Sequence, residues 1–221
     1  MTANAPDTAD GGQAVGDLAA TRRFFGPLAA SWEQPGQPDE ALIDWAVSVI
    51  GVRPGDVALD VGCGTGRAQP ALRAAIGPHG RVVGLDVTEE MLRTAASHGR
   101  GRMADLVLAD VCRLPVTDGC VDVVFAGGVL PHLWEPALAV AEFRRVCRPH
   151  ATLAVFHPLS RLQLIEVHSG LDAQDHLLAP RRLTALLGAA GWHTTQVLDL
   201  PDRFLAVAST SAAARAGRPT R

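Results

Sequence analysis

Short apolar runs alternate with longer segments of helical periodicity through the middle of the chain. Seven runs have the length and composition of strands, at residues 57–61, 81–86, 105–109, 121–126, 152–157, 194–199 and 204–208. Helical patterns between and around them predict helices at residues 39–50, 67–76, 88–97, 136–147 and 180–190. Strands that alternate with helices are typical of a mostly parallel sheet. We therefore predict an α/β fold of the doubly wound type, with helices on both faces.

The last two predicted strands break this alternation. Only the four residues LPDR separate them. A parallel crossover needs about a dozen residues or more, so these two strands must pair antiparallel as a hairpin.

The length of 221 residues suits one α/β domain, which we expect over residues 17–208. Small and polar residues without apolar periodicity predict a disordered leader at residues 1–16 and a disordered tail at residues 209–221. N-terminal helices are expected within residues 17–50. There an aromatic stripe broken by Gly26 and Pro27 fits either a lid or a helix on the flank of the sheet, and it comprises Phe24, Phe25, Leu28 and Trp32.

Composition and charge exclude several classes of function. The net charge of −3 provides no basic field for polyphosphate, so we expect no nucleic-acid partner. Neither a signal peptide nor a membrane-spanning apolar run is visible, so the simplest expectation is a cytoplasmic protein without a membrane partner. The four cysteines form no CxxC pair, which predicts neither a metal site nor a disulfide framework. Lys and Tyr are absent, which rules out Schiff-base lysines and tyrosine acids.

The stretch LDVGCGTGR carries the clearest sign of a ligand site. A predicted strand runs directly into Gly62, Gly64 and Gly66, and a helix follows. Glycines permit positive φ angles and close approach of a ligand, while the helix N-terminus offers N–H groups. A dinucleotide-binding turn would place its third glycine at position 67, where this chain has Arg67. A tight turn that binds no ligand remains an alternative.

Three carboxylates close three consecutive predicted strands. Asp60 precedes the glycine turn, where it would repel a pyrophosphate and attract an ammonium or sulfonium group. Asp86 lies 20 residues after Gly66, where a carboxylate can accept hydrogen bonds from ribose hydroxyls. Asp110 ends the third strand. The carboxyl ends of parallel strands open on one crevice, so we expect these acids to converge there, although each alone could be a helix cap.

Two apolar residues follow the third acid, Val111 and Leu114, and we expect them to sandwich a flat base. Together with the acids they predict a site for a flat, polar and positively charged ligand.

These motifs resemble the class I S-adenosylmethionine-dependent methyltransferases, of the small-molecule, methyltransferase-11-like type. The resemblance lies in LDVGCGTG, VVGLDVTEEML and LVLADVCRLP, and continues through VDVVFAGGVLPHLWEP to the end of the predicted hairpin. It implies a Rossmann-like sheet of seven strands with an antiparallel last strand. It also implies S-adenosylmethionine as cofactor and a small organic molecule as methyl acceptor.

The resemblance also assigns residues. It places Gly62, Gly64 and Gly66 against the methionyl part of the cofactor, Asp86 on the ribose and Asp110 near the adenine amine. The whole cofactor site that it implies comprises Asp60, Gly62, Cys63, Gly64, Gly66, Asp86, Val87, Met91, Asp110, Val111 and Gly127. One departure is RPHAT, where the family usually has Pro-Gly-Gly, so that His150 and Ala151 make the turn less permissive.

Two histidines are candidates for catalysis. His157 ends the fifth predicted strand and would be the general base, because imidazole titrates near neutral pH. His132 follows the fourth strand at a position where the family often has histidine, which favours lining of the acceptor pocket. Structural roles for both remain alternatives. Motifs for methylation of DNA amines, pyrimidine carbon or metal-bound catechols are absent.

Two rival functions remain open. The first is a cyclase, a lyase or an accessory subunit that binds the same cofactor without methyl transfer. The second is a nicotinamide oxidoreductase, which Asp60 and Arg67 disfavour.

Overall fold

The computed structural model describes residues 17–33, 39–167 and 176–211, so the predicted leader and most of the predicted tail lie outside the described residues. One sheet contains seven strands in the order β3-β2-β1-β4-β5-β7-β6. Their bounds are β1 Val57–Val61, β2 Arg81–Asp86, β3 Asp105–Leu108, β4 Val121–Gly127, β5 Cys147–His157, β6 His193–Asp199 and β7 Phe204–Ser209.

The pairing confirms the predicted fold class. Strands β1 to β5 form only parallel pairs with one another, whereas β7 runs antiparallel to both β5 and β6. In the predicted hairpin, Asp199 pairs with Phe204. The carboxyl ends of the five parallel strands therefore open on one edge of the sheet.

Helices cover both faces of the sheet. They are α1 Leu18–Phe25, α2 Asp39–Val49, α3 Gln69–Ile76, α4 Glu89–Ser97, α5 Pro136–Val146, α6 Arg161–Val167 and α7 Pro180–Ala189. One core cluster joins α2 and α3 to Val82 and Val123 of the sheet. The other joins α5 and α7 to alternate strand residues such as Leu59 and Leu153. The strand side chains of the two clusters point to opposite faces of the sheet, as the period of two requires.

The helix after the glycine turn begins later than predicted, at Gln69 instead of Arg67. Positive φ angles at Gly64 and Gly66 prevent helical geometry there, and the N–H of Gly66 donates to the Cys63 carbonyl at 2.8 Å. The N–H of Gln69 in turn donates to the Gly66 carbonyl at 3.1 Å, and the helix starts there. Pro70 fits in its first turn, where no intrahelical N–H is required.

The fifth strand begins earlier than predicted, at Cys147, which pairs with Val121. Regular pairing then resumes only at Thr152, so the RPHAT segment forms an irregularity within the strand. His150 has a φ of 65°, the one positive φ of a non-glycine among the described residues. At the position where the resemblance leads us to expect glycine, histidine thus adopts a left-handed conformation.

Helix α1 lies within residues 17–50, where N-terminal helices are expected, whereas α6 was not predicted. Asp17 caps α1, because its Oδ1 accepts the Ala20 N–H at 2.6 Å. Before α6, Ser160 and Gln163 form a reciprocal pair in which each side chain accepts the backbone N–H of the other. At the other end of the domain, β7 extends to Ser209, one residue beyond the predicted boundary. Within the described ranges, no helix has the length and hydropathy of a membrane span.

Candidate functional site

The turn between β1 and α3 holds three glycines in left-handed conformations, with φ angles of 63° at Gly62, 54° at Gly64 and 82° at Gly66. The space around these three glycines differs. A Cβ on Gly62 would collide with the side chain of Val129, and one on Gly66 would approach Gln69 Oε1 to 2.7 Å. At Gly64 the nearest atoms are 3.9 Å away. Gly64 therefore has the most room for a ligand.

Three N–H groups of this turn already have acceptors within the protein. The N–H of Cys63 donates to the Leu85 carbonyl at 2.9 Å, and the N–H of Gly64 donates to Asp86 Oδ2 at 2.8 Å. The N–H of Gly66 donates to the Cys63 carbonyl within the turn. These bonds fix the turn against the end of β2. They also leave these three donors occupied when a ligand arrives.

Asp86 ends β2 and joins the glycine turn to the start of α4. Its Oδ2 accepts from Gly64, and its Oδ1 accepts the Thr88 N–H at 2.7 Å. Burial raises the pKa of this carboxyl above its ordinary value, although the hydrogen bonds from Thr88 and Gly64 offset part of the effect. The Thr88 hydroxyl and the Val87 N–H also lower this pKa as hydrogen-bond donors, so a ligand hydroxyl would share the carboxylate with donors of the protein.

Asp60 lies at the end of β1 and is 3% exposed. Its Oδ2 has no hydrogen-bond partner among the described residues, and neither have the two amide atoms of buried Gln69. Burial raises the pKa of Asp60 to about 7, and the charge of Asp86 adds to this effect. Gln69 lies close enough to lower the pKa in part, without forming a hydrogen bond of good geometry. A buried acid in this state would gain from a cationic partner.

The third predicted acid also reaches this edge of the sheet. The N–H of Ala109 donates to the Asp86 carbonyl at 2.9 Å, so Asp110 follows directly beside the end of β2. Its Oδ1 accepts the Cys112 N–H at 2.9 Å, which closes a local turn. The next apolar residues, Val111 and Leu114, are buried in the core. Their contact with a base therefore stays a prediction.

A cavity of about 680 Å³ opens beside Val87, immediately after Asp86. Leu108 lines it with a side chain that is 51% exposed. The remaining lining comes from the N-terminal segment and the start of α4, namely Arg22, Arg23, Gly26, Pro27, Glu89 and Glu90. A second cavity of about 410 Å³, along residues 96–102, contains none of the predicted site residues.

The N-terminal segment lies against this edge of the sheet. Arg22 Nε donates to the Val87 carbonyl at 2.9 Å. The indole Nε1 of Trp32 and the Sδ of Met91 both lie 3.9 Å from the point where a Cβ on Gly64 would stand. We call residues 17–33 the cover, because Trp32 of this segment lies near the glycine turn, and its action as a lid stays a prediction.

Aromatic contacts continue from this cover to the other side of the crevice. The ring of Phe25 lies 5.7 Å from that of Trp32 and 5.3 Å from that of His132, edge to face in both pairs. His132 belongs to a 3-10 turn, Leu130–His132, that follows β4. Phe25 therefore bridges the glycine turn and the predicted acceptor side.

An ion pair fixes the end of the cover. Glu33 accepts from Arg100 at 3.2 Å and lies 3.4 Å from His98 Nδ1. Burial raises the pKa of Glu33, but the nearby Thr65 hydroxyl and the Arg100 guanidinium outweigh this effect, so that the pKa is lowered overall. Glu33 is therefore ionised at neutral pH, as the pairing with Arg100 requires.

His157 lies at the end of β5 and is 8% exposed. Its Nδ1 is placed to accept the Leu159 N–H at 3.0 Å, which in the neutral ring puts the proton on Nε2. Nε2 and Cδ2 lie 4.0 Å from the point where a Cβ on Gly128 would stand, next to predicted Gly127 at the end of β4. In this tautomer His157 is a donor at Nε2, and its action as a base stays a prediction.

Two further side chains are not expected to take part in catalysis. Burial, Asp60 and Asp86 raise the pKa of the Cys63 thiol well above its ordinary value, so it is not a nucleophile at neutral pH. Arg161 Nε donates to Asp199 Oδ2 at 2.8 Å, so this guanidinium forms an ion pair within the protein. Among the described residues, no group of three His, Cys, Asp or Glu side chains has the arrangement of a metal site.

Comparison with known proteins identifies a family for part of the chain. A family model described as a methyltransferase domain matches residues 59–155, from within β1 to within β5. Residues 59–155 belong to this methyltransferase domain family. The methyltransferase-family domain thus includes Asp60, Asp86 and Asp110.

A curated relative covers a larger part of the chain. The malonyl-[acyl-carrier protein] O-methyltransferase of Xylella fastidiosa is 32% identical over 169 residues, which are 73% of this chain and 56% of the relative. The first curated relatives share between 33% and 56% of their own length with this chain.

Solved structures confirm the fold around the methyltransferase-family domain. A SAM dependent methyltransferase from Aquifex aeolicus superposes with a TM-score of 0.71 at 23% identity, over 84% of this chain and 98% of the other. The [4+2]-cyclase SpnF gives 0.65 at 24% identity, over 84% and 76%.

Sequence reasoning missed three side chains that shape the methyltransferase-family domain's site. Val129 packs on Gly62, Gln69 packs on Gly66, and Arg100 holds Glu33. Only Gln69 had a visible signal, because it is a polar residue on the apolar face of α3. The others depend on contacts between segments that are distant in the chain.

Proposed function

We propose that this protein transfers a methyl group from S-adenosylmethionine to a small organic molecule. The observation that carries the proposal is the buried carboxylate of Asp60, which has no hydrogen-bond partner for Oδ2 among the described residues. The ammonium of an adenosyl amino acid would supply the missing cation. A nicotinamide dinucleotide would instead bring a pyrophosphate close to Asp60 and Asp86, where the three anions would repel one another.

The described residues fit the remaining parts of this cofactor. Asp86 would accept hydrogen bonds from the ribose beside those that it accepts from Gly64 and Thr88. The base would lie beyond Val87, against Leu108 and toward Asp110. Gly64 would meet the chain between ribose and amino acid, since its surroundings leave the most room.

Bound S-adenosylmethionine would supply a sulfonium methyl group for in-line displacement by a lone pair of the acceptor. The protein's contribution is then mainly to hold the acceptor in line with that methyl group. His157 would donate from Nε2 to an acceptor oxygen or nitrogen, and His132 would line the pocket against Phe25. If the acceptor must lose a proton, His157 can accept it only in the tautomer that releases the Leu159 N–H.

A second candidate is a reaction that uses the same cofactor without methyl transfer. One structural neighbour is described as a [4+2]-cyclase. The donor state of His157 favours this candidate as well, because a hydrogen-bond donor can stabilise developing negative charge without removing a proton. Formation of S-adenosylhomocysteine with an acceptor would exclude it.

The experiment that tests the proposal is calorimetric titration of the full chain with S-adenosylmethionine, S-adenosylhomocysteine and NADH. We expect binding of the first two near micromolar and none of NADH. Binding of NADH in preference to both adenosyl amino acids would refute the proposal. Acceptors are then screened by the transfer of a labelled methyl group.

A further inference from the structure

We propose that the indole N–H of Trp32 donates a hydrogen bond to the carboxylate at the amino-acid end of the bound cofactor. The inference rests on the proposed function and deepens it, because it adds the N-terminal segment to the cofactor site. The motifs that mark the site begin only at β1.

The position of the indole is the first support. Trp32 Nε1 lies 3.9 Å from the Cβ point of Gly64, the glycine with the most room. Gly64 follows Asp60 closely in the chain and donates its N–H to Asp86. An amino-acid end whose ammonium meets Asp60, and whose ribose meets Asp86, would pass over Gly64.

The hydrogen bonding of the turn is the second support. A carboxylate near Asp60 and Asp86 needs donors, because two neighbouring acids repel it. The N–H groups of Cys63, Gly64 and Gly66 are already bonded to protein acceptors. A donor from outside the turn would add to the Thr65 hydroxyl and the Gln69 amide, which have no partner among the described residues, and Trp32 is the residue of the cover whose N–H reaches this point.

The indole N–H itself is the third support. Within the described ranges it has no hydrogen-bond acceptor, and the residue is 38% exposed. By contrast, buried Trp192 donates its Nε1–H to the Val140 carbonyl at 3.0 Å. A tryptophan N–H that lies over a ligand site without a protein acceptor is suited to bind the ligand.

Contacts on both sides hold the indole in place. Phe25 packs edge to face at 5.7 Å on one side, and adjacent Glu33 is paired with Arg100 on the other. Little side-chain freedom would then be lost on binding, which favours affinity.

The test compares two variants of the full chain by titration with S-adenosylhomocysteine. Trp32→Phe keeps an aromatic ring and removes the N–H. Trp134→Phe is the matched control, since Trp134 is 50% exposed and lies outside the cover. We expect Trp32→Phe to weaken binding about tenfold, as for loss of a hydrogen bond to a charged group, and Trp134→Phe to have no effect.

A second ligand identifies the atom that Trp32 contacts. 5′-Methylthioadenosine has the nucleoside and the thioether but no amino-acid end, so Trp32→Phe should not weaken its binding. Equal weakening for both ligands would overturn the carboxylate contact, as would wild-type affinity of Trp32→Phe for S-adenosylhomocysteine. If wild-type protein binds neither S-adenosylhomocysteine nor S-adenosylmethionine, the proposed function fails, and the inference fails with it.

Discussion

The carboxyl ends of β1 and β2 differ from those of β4 and β5 in how the protein satisfies its own polar groups. At β1 and β2, Asp60 Oδ2 and the Gln69 amide are buried without hydrogen-bond partners among the described residues. At β4 and β5, the N–H of Gly128 donates to the Phe156 carbonyl at 2.8 Å, and His157 Nδ1 accepts from Leu159. Polar groups at the ends of β1 and β2 thus lack hydrogen-bond partners, whereas the Gly128 N–H and His157 Nδ1 at the ends of β4 and β5 have partners within the protein.

This difference corresponds to the two ligands of the proposed reaction, with the cofactor at the ends of β1 and β2 and the methyl acceptor at the ends of β4 and β5. Buried polar groups without partners reduce stability, so a ligand that supplies the partners is bound more tightly. The β1–β2 side therefore specifies its ligand through charge and hydrogen bonding. The β4–β5 side contributes shape and a few donors, which explains why the chemistry of the acceptor is harder to identify.

The largest loss of stability is expected from a substitution in the glycine turn, on the β1–β2 side. Gly62→Ala places a Cβ against Val129 at a φ of 63°. Left-handed strain and overpacking together should lower the free energy of unfolding by about 2 to 5 kcal/mol. Gly64→Ala, the matched control, has similar strain but ordinary contacts at 3.9 Å, so it should lose about 1 to 2 kcal/mol. Urea denaturation measures both, and equal losses would contradict the packing of Val129 on Gly62.

A second test uses the protonation of Asp60. Its pKa is 3.8 in an ordinary setting and about 7 in the folded protein, so the folded state binds this proton more tightly than the unfolded chain does. The free energy of unfolding should therefore fall as pH rises through this interval. Asp60→Asn removes this dependence and should stabilise the ligand-free protein at pH 8 by on the order of 2 to 4 kcal/mol.

Binding of S-adenosylhomocysteine should respond to Asp60 in the opposite sense. Ionised Asp60 attracts the ammonium, so affinity should rise between pH 6 and pH 8, by at most about tenfold per unit below the pKa. Asp60→Asn should weaken binding and flatten the profile. Calorimetry at several pH values checks this, and a rise that persists in Asp60→Asn would assign the titration to another group.

A third test concerns Asp86. Asp86→Ala leaves the N–H groups of Gly64 and Thr88 without their acceptor and removes the proposed ribose contact. We expect a loss of about 1 to 3 kcal/mol in the affinity for S-adenosylhomocysteine. Asp105→Ala is the control, because Asp105 forms an exposed pair with Arg81 whose contribution is about 0 to 1 kcal/mol of stability. Unchanged affinity of Asp86→Ala would remove Asp86 from the site.

The smallest effect on cofactor binding is expected on the β4–β5 side. His157→Ala removes the acceptor of the Leu159 N–H and should lower the free energy of unfolding by about 1 to 3 kcal/mol. His157→Asn keeps an acceptor at the same position and should lose less. Neither should change the affinity for S-adenosylhomocysteine, and a marked loss in either would show that the two sides are not separate.

Local signals predicted most of the fold. The bounds predicted for the strands at residues 57–61 and 81–86 are those that the structure has, because each is a short, mainly apolar run with an acid at or next to its last residue. The four-residue link before β7 predicted the hairpin. Helix α6 was missed although Ser160 and Gln163 have the spacing of a capping box, a signal that was available in the sequence.

The site was predictable only in part. Glycines and acids at strand ends could be placed together because parallel strands share one edge. The contacts of Trp32 with Gly64 and of Val129 with Gly62 join segments that are far apart in sequence, and no local pattern encodes them. The tautomer of His157 depends on the backbone of Leu159, which adopts its position only in the folded chain.

The most direct measurement is a crystal structure of the full chain grown with S-adenosylhomocysteine. We expect the ligand's ammonium against Asp60, its ribose hydroxyls on Asp86 and its carboxylate within hydrogen-bond distance of Trp32 Nε1. A ligand bound elsewhere, or bound in this crevice with its amino-acid end away from Asp60, would show that Asp60 does not hold the ammonium.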